Sequence, residues 1–103
     1  MTNAELNLAI AKLVYPDRDW MTNNEDGVNT YWRMTMGDFA GSYNYCNNWN
    51  DLMPLVVEHR ISLCDIGNGK SWDACAYEDI QVENENPQRA LAECLLKVLE
   101  SKQ

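Results

Sequence analysis

Side chains able to do covalent or acid–base work are few in this chain: one histidine, His59, cysteines at 46, 64, 75 and 94, and carboxylates scattered from Glu5 to Glu100. Nucleophilic catalysis needs a hydroxyl or thiol beside a base that a third group orients. His59 stands between Glu58 and Arg60 at the predicted end of a helix, where the dipole favours a cationic side chain, and no spacing ties it to Cys64 or Cys75. Structural zinc sites show close ligand pairs such as C-x-x-C, which Cys46, Cys64, Cys75 and Cys94 lack, so neither a metal nor another cofactor is expected. Asp65 and Asp73 could face each other across a hairpin as an acid–base pair, a pattern that surface charge imitates. Gly67-Asn68-Gly69-Lys70-Ser71 ends like a phosphate-binding loop, but Cys64 holds the place of its first glycine and a strand, not a helix, is predicted to follow. No catalytic set emerges, and the chain is expected not to be an enzyme.

The remaining chemical excess is aromatic, with four Trp and five Tyr. Trp20, Tyr43 and Tyr45 fall in stretches read as loops, with no periodicity to bury them, and interface anchors are often Trp and Tyr. With Asn47 and Asn48 they make the candidate protein-binding residues.

The elements that must position these groups follow from capping and periodicity. Thr2 and Glu5 form a T-x-x-E capping box, and Leu6, Ala9, Ile10 and Leu13 recur at helical spacing. This predicts a helix from Asn3 to Val14, ended by Tyr15-Pro16. After a polar stretch to Gly27, residues Val28 to Met36 read as a strand in which Tyr31 and Trp32 point to opposite faces, so both faces of the sheet should be covered. Gly37 to Asn48 reads mostly as loop. A second helix places Trp49, Leu52, Met53, Val56 and Val57 on one face. Pro54 is tolerated in a first turn, which favours Asn50 as its N-cap over Asn47.

Asn68-Gly69 is a strong hairpin signal. As the two loop residues they pair Leu63 with Ala74, Ile61 with Ala76 and Asp65 with Trp72, and set Cys64 and Cys75 diagonally on the other face, too far apart for an unstrained disulfide. A short extended piece is predicted at Ile80 to Val82. Asn86 then caps and Pro87 opens a helix with Ala90, Leu91, Cys94, Leu95, Val98 and Leu99 on its apolar face and a Glu93–Lys97 pair opposite.

The length of 103 residues gives a single domain, and an apolar fraction of 46% against 23% charged gives it a packed core. A formal charge of −8 repels phosphate, so direct binding to DNA or RNA is not expected. No basic leader or apolar run of roughly 18 residues points to a membrane. Unpaired cysteines among apolar patterns suit reduced, buried thiols in a cytoplasm.

Two stretches carry a resemblance: Asn44-Tyr45-Cys46-Asn47-Asn48-Trp49-Asn50-Asp51-Leu52-Met53-Pro54-Leu55-Val56, and, after the Trp72 hairpin, Asn86-Pro87-Gln88-Arg89-Ala90-Leu91-Ala92. Over about the last two-thirds of the chain they resemble small proteins of tailed bacteriophages and enterobacterial prophages, described as phage α-β-α sandwich domains. The resemblance implies no catalytic or ligand residues. It implies an α+β fold, a small antiparallel sheet of about three strands with helices on both faces, and a place in the bacterial host cytoplasm.

The expected function is therefore that of a non-enzymatic accessory protein binding a host or phage protein, or a second copy of itself. Two alternatives belong to other classes. One is a small-molecule binder or enzyme with a pocket between the sheet and helix 49–59; the other is an acidic DNA mimic with carboxylates in a regular row.

Overall fold

The computed structural model describes residues 1–16, 19–22, 28–31, 39–65, 70–76 and 79–102. Three helices, α1 (Asn3–Val14), α2 (Trp49–Glu58) and α3 (Pro87–Ser101), alternate with six strands: β1 (Asp19–Thr22), β2 (Val28–Tyr31), β3 (Phe39–Tyr43), β4 (Ser62–Asp65), β5 (Trp72–Ala76) and β6 (Ile80–Asn84). The strands form two antiparallel three-stranded sheets, β1-β2-β3 and β4-β5-β6.

The α1 boundaries are those its capping box predicts. Thr2 Oγ1 accepts the Glu5 N–H at 3.1 Å, and Glu5 Oε1 accepts the Thr2 N–H at 3.3 Å. Asn86 caps α3 by accepting from the Gln88 and Arg89 amides at 2.9 and 3.2 Å, with Pro87 in the first turn. On α3, Glu93 pairs with Arg89 at 2.9 Å instead of with Lys97. The extended piece after Asp79 is β6, and β1 and β3 are strands in stretches the sequence reads as polar connection and loop. Trp32, the Asn68-Gly69 turn and most of the loop glycines lie outside the described residues.

The hairpin register is as expected: Leu63 pairs with Ala74, Asp65 with Trp72, and the ladder continues from Ala74 to Val82. Strand β4 opens one residue after the buried Ile61. Side chains alternate across a strand, so Leu63, Asp65, Trp72, Ala74, Ala76, Ile80 and Val82 share one face. Ala74 and Ala76 are small and buried, which lets the buried Ala90, Leu91, Cys94, Leu95 and Val98 of α3 approach closely.

The fold is the expected small α+β one, three helices with antiparallel three-stranded sheets. It is α3 that lies between layers, with β4-β5-β6 on one side and α1 and α2 against it elsewhere, while β1 and β2 pack on α1. Ala92, off the main apolar face of α3, is fully buried as a result. The second face of β4-β5-β6 carries Ser62, Cys64, Gln81 and Glu83 exposed and Asp73 and Cys75 half-buried.

Candidate protein-binding site

The start of α2 is fixed by a polar network reaching back to α1. Asn7 is fully buried; its Nδ2 donates to Asn44 Oδ1 at 3.0 Å and its Oδ1 accepts the Cys46 N–H at 3.0 Å. Asp51 Oδ2 accepts the Asn44 N–H at 2.8 Å, and the Asn48 N–H donates to the Asn44 carbonyl at 2.8 Å. Gln88, at the start of α3, donates to the Tyr45 carbonyl at 3.2 Å. Buried amides are costly unless paired, so these bonds define one path for the 44–48 turn.

That turn delivers Asn48, not Asn50, as the N-cap of α2. Asn48 has extended backbone, φ −122° and ψ 106°, and its Oδ1 accepts the Asn50 N–H at 3.0 Å. Pro54 therefore lies beyond the first turn, inside the helix, on an exposed position. Without an N–H it leaves the carbonyl four residues back, on exposed Asn50, to solvent.

Only Leu52 and Val56 of the predicted apolar face are buried. Trp49, Met53 and Val57, spaced i, i+4, i+8, stay 43%, 39% and 69% exposed. Four-residue steps place them in one stripe along the helix. At 100° per residue the stripe is flanked by Asn50 and Pro54, both exposed, while Asp51 and Glu58 fall on the far side. With Asn47 and Asn48 this makes an exposed, uncharged face from the 44–48 turn to the end of α2.

The aromatic residues are placed differently from the loop patch expected for them. Trp20 lies on β1 and Tyr43 on β3; both are half-buried and pack on the core. The Trp20 indole N–H donates to the Tyr15 carbonyl at 3.1 Å. Trp20 and Tyr43 meet edge to face with centroids 5.9 Å apart, and Tyr43 stacks on Tyr45 at 5.8 Å. Tyr45 is 1% exposed, which corrects its reading as an accessible anchor. Aromatic packing accounts for all three. Asn47 and Asn48 are exposed as expected, and the structure joins them to Trp49, Met53 and Val57, which the sequence places with Leu52 and Val56 on one apolar helix face. The missed signal is width: five apolar residues cover more of a ten-residue helix than the face that neighbouring elements bury.

The groups singled out for chemistry are dispersed. His59 is the C-cap of α2, as predicted; Lys102 Nζ stands 2.9 Å from its Nδ1 and Glu58 Oε2 3.9 Å from its Nε2. Asp65 and Asp73 lie on opposite faces of their sheet, by the alternation of β4 against β5, and form no pair. Cys46 and Cys94 are buried; Cys64, expected inside, is exposed and Cys75 is half-buried. Cys64 pairs with Asp73 and Cys75 with Ser62, so the two thiols are diagonal neighbours. Cys75 Sγ donates to Asp73 Oδ2 at 3.3 Å, and Gln81 Nε2 donates to the same oxygen at 2.7 Å. Burial first, and then the Asp73 hydrogen bond, push the Cys75 thiol up from its usual value. Among the described residues no group of three His, Cys, Asp or Glu is placed to hold a metal ion, and no helix is long and apolar enough to cross a membrane.

A groove of about 330 Å³ opens between the start of α1, β6 and α3, with Leu6, Val82 and Leu96 inside and Glu93, Lys97 and Glu100 in its lining. It lies away from the expected place between the sheet and α2, and His59 is not among its lining residues. The described carboxylates are spread over every helix and the second sheet, from Glu5 on α1 to Asp51 and Glu58 on α2, Glu83 on β6 and Glu100 on α3. They form no regular row along a single element.

The sequence pattern of the family described as "Bacteriophage P22, NinX" matches residues 1–98. The chain belongs to this family. Membership of the NinX family covers α1 through most of α3 and makes the chain a phage accessory protein, in accord with the resemblance carried by its Asn44–Val56 and Asn86–Ala92 stretches. No curated protein and no solved structure matches the chain.

Proposed function

We propose that this NinX-family chain is a non-catalytic accessory protein that acts by binding another protein through the α2 face formed by Asn47, Asn48, Trp49, Met53 and Val57. The observation that carries this reading is the stripe of Trp49, Met53 and Val57 left exposed on a helix whose Leu52 and Val56 are buried and whose Leu55 packs on the core. Contiguous exposed apolar surface rimmed by polar residues is a feature of interaction sites, and side chains at i, i+4 and i+8 are the anchors a helix presents to a partner. Trp49 and Met53 belong to the residue types enriched in such contacts. The natural setting is the cytoplasm of the bacterium that carries the phage.

Affinity capture from lysates of phage-infected bacteria tests the proposal, comparing the wild-type chain with Val57→Glu and with Gln81→Glu on the second sheet. A protein retained by the wild type and by Gln81→Glu, and lost with Val57→Glu, is the expected result. Equal recovery with the wild type and both variants contradicts it.

A further inference from the structure

We infer that the α2 face takes a second copy of this chain, its α2 running antiparallel to the first across a two-fold axis at Met53. The inference rests on the protein-binding reading of that face and names its partner. Its first ground is charge. At a net charge of −8, two copies repel each other over most approaches, and like charges set opposite one another in an interface are costly. The exposed positions of the α2 face, Asn47, Asn48, Trp49, Asn50, Met53, Pro54 and Val57, carry no charge, and Asp51 and Glu58 fall on the far side of the helix. This face lets a copy approach without setting carboxylate against carboxylate.

The second ground is the order of sizes along the stripe. A two-fold interface is self-complementary, so each residue meets the mirror position of its copy. With Met53 on the axis, Trp49 of one chain lies over Val57 of the other, twice. The largest side chain of the stripe meets the smallest, and the flexible thioether of Met53 fills the centre. Glu58 then falls level with Asn48 of the copy, and each helix N-terminus lies beside the other's C-terminus, where the dipoles attract. A parallel arrangement would stack Trp49 on Trp49 and Val57 on Val57. A stripe of this length, about 12 Å at 1.5 Å per residue, makes a small interface, so association is reversible and concentration-dependent.

Sedimentation velocity from roughly 1 μM to roughly 1 mM spans the range in which small interfaces dissociate. The wild-type chain is expected to pass from monomer to dimer. Trp49→Glu and Val57→Lys singly are each expected to weaken dimerisation about tenfold or more, roughly 1.4 kcal/mol, because each buries an unmatched charge. Combined in one chain they bring carboxylate and ammonium together across the axis, and dimerisation returns in a salt-sensitive form. All positions are exposed, and far-ultraviolet circular dichroism verifies that each variant folds. As a second readout, Met53→Cys with Cys64→Ser and Cys75→Ser should form a disulfide-linked dimer under mild oxidation with glutathione disulfide, whereas Gln81→Cys in the same background should not. A wild-type chain that stays monomeric to roughly 1 mM, or a double variant no better than its parents, overturns the inference. If Val57→Glu also abolishes capture of a different protein, the binding face stands and only the second copy is refuted.

Discussion

Asn7, in the middle of α1, donates its side-chain N–H to Asn44 at 3.0 Å across 37 residues of sequence, and so ties the first helix to the turn that starts α2. The same side chain accepts the Cys46 N–H, which makes Asn7 a bracket for backbone as well as side chain. Replacing it strands the buried Cys46 N–H and takes from Asn44 Oδ1 one of two donors, the other being Asn47 Nδ2. Asn7→Leu is expected to cost about 2–4 kcal/mol in urea unfolding, since an unsatisfied buried partner costs more than a hydrogen bond contributes. A loss below about 1 kcal/mol would mean that water replaces both bonds.

The α1 capping box gives a pH dependence of known sign. The hydrogen bonds from the Thr2 backbone and then from its hydroxyl hold the Glu5 carboxyl below its usual value. A carboxyl lowered in the folded state binds its proton later than in the unfolded chain, so its contribution is present above the unfolded value and is lost as pH falls through the folded one. The stability difference between wild type and Glu5→Ala, followed by thermal unfolding from neutral to acid pH, should narrow across that window. A constant difference would assign the effect of Glu5 to helix propensity alone.

The four cysteines should separate by reactivity. Exposed Cys64 is expected to alkylate first and half-buried Cys75 more slowly, whereas buried Cys46 and Cys94 react only on unfolding. Burial pushes the Cys94 thiol up to about 11. A raised thiol stays neutral in the folded chain after the unfolded chain has ionised, so stability falls as pH climbs from the usual thiol value to the raised one. Cys94→Ala should flatten that alkaline loss. Mass-resolved alkylation and alkaline unfolding curves read the two effects.

Much of the fold was legible because local chemistry and packing agree where it was read correctly. Thr2 and Glu5 fix α1, Asn86 and Pro87 fix α3, and Leu63 pairs with Ala74 in the expected register. The errors fall where tertiary packing decides. Phe39–Tyr43 is a strand although Gly41 and its neighbours favour turns, because β2 supplies the pairing that local propensity lacks. Tyr45 looked free and is buried against Tyr43 and the core. For α2, periodicity finds the apolar residues but not how many of them a neighbour covers, so the exposed stripe was hidden inside a helix read as packed. The N-cap moved from Asn50 to Asn48 because the Asn7, Asn44 and Asp51 network sets where the turn ends.

Site-specific photocrosslinking in phage-infected cells tests the role of the α2 face most directly, with a photoreactive phenylalanine analogue at Met53 and, as the comparison, at Gln81. A discrete covalent adduct to a protein is expected from Met53, removed by Trp49→Glu in the same chain, with none from Gln81. Adducts of equal yield at the two positions, or at Gln81 alone, would contradict it.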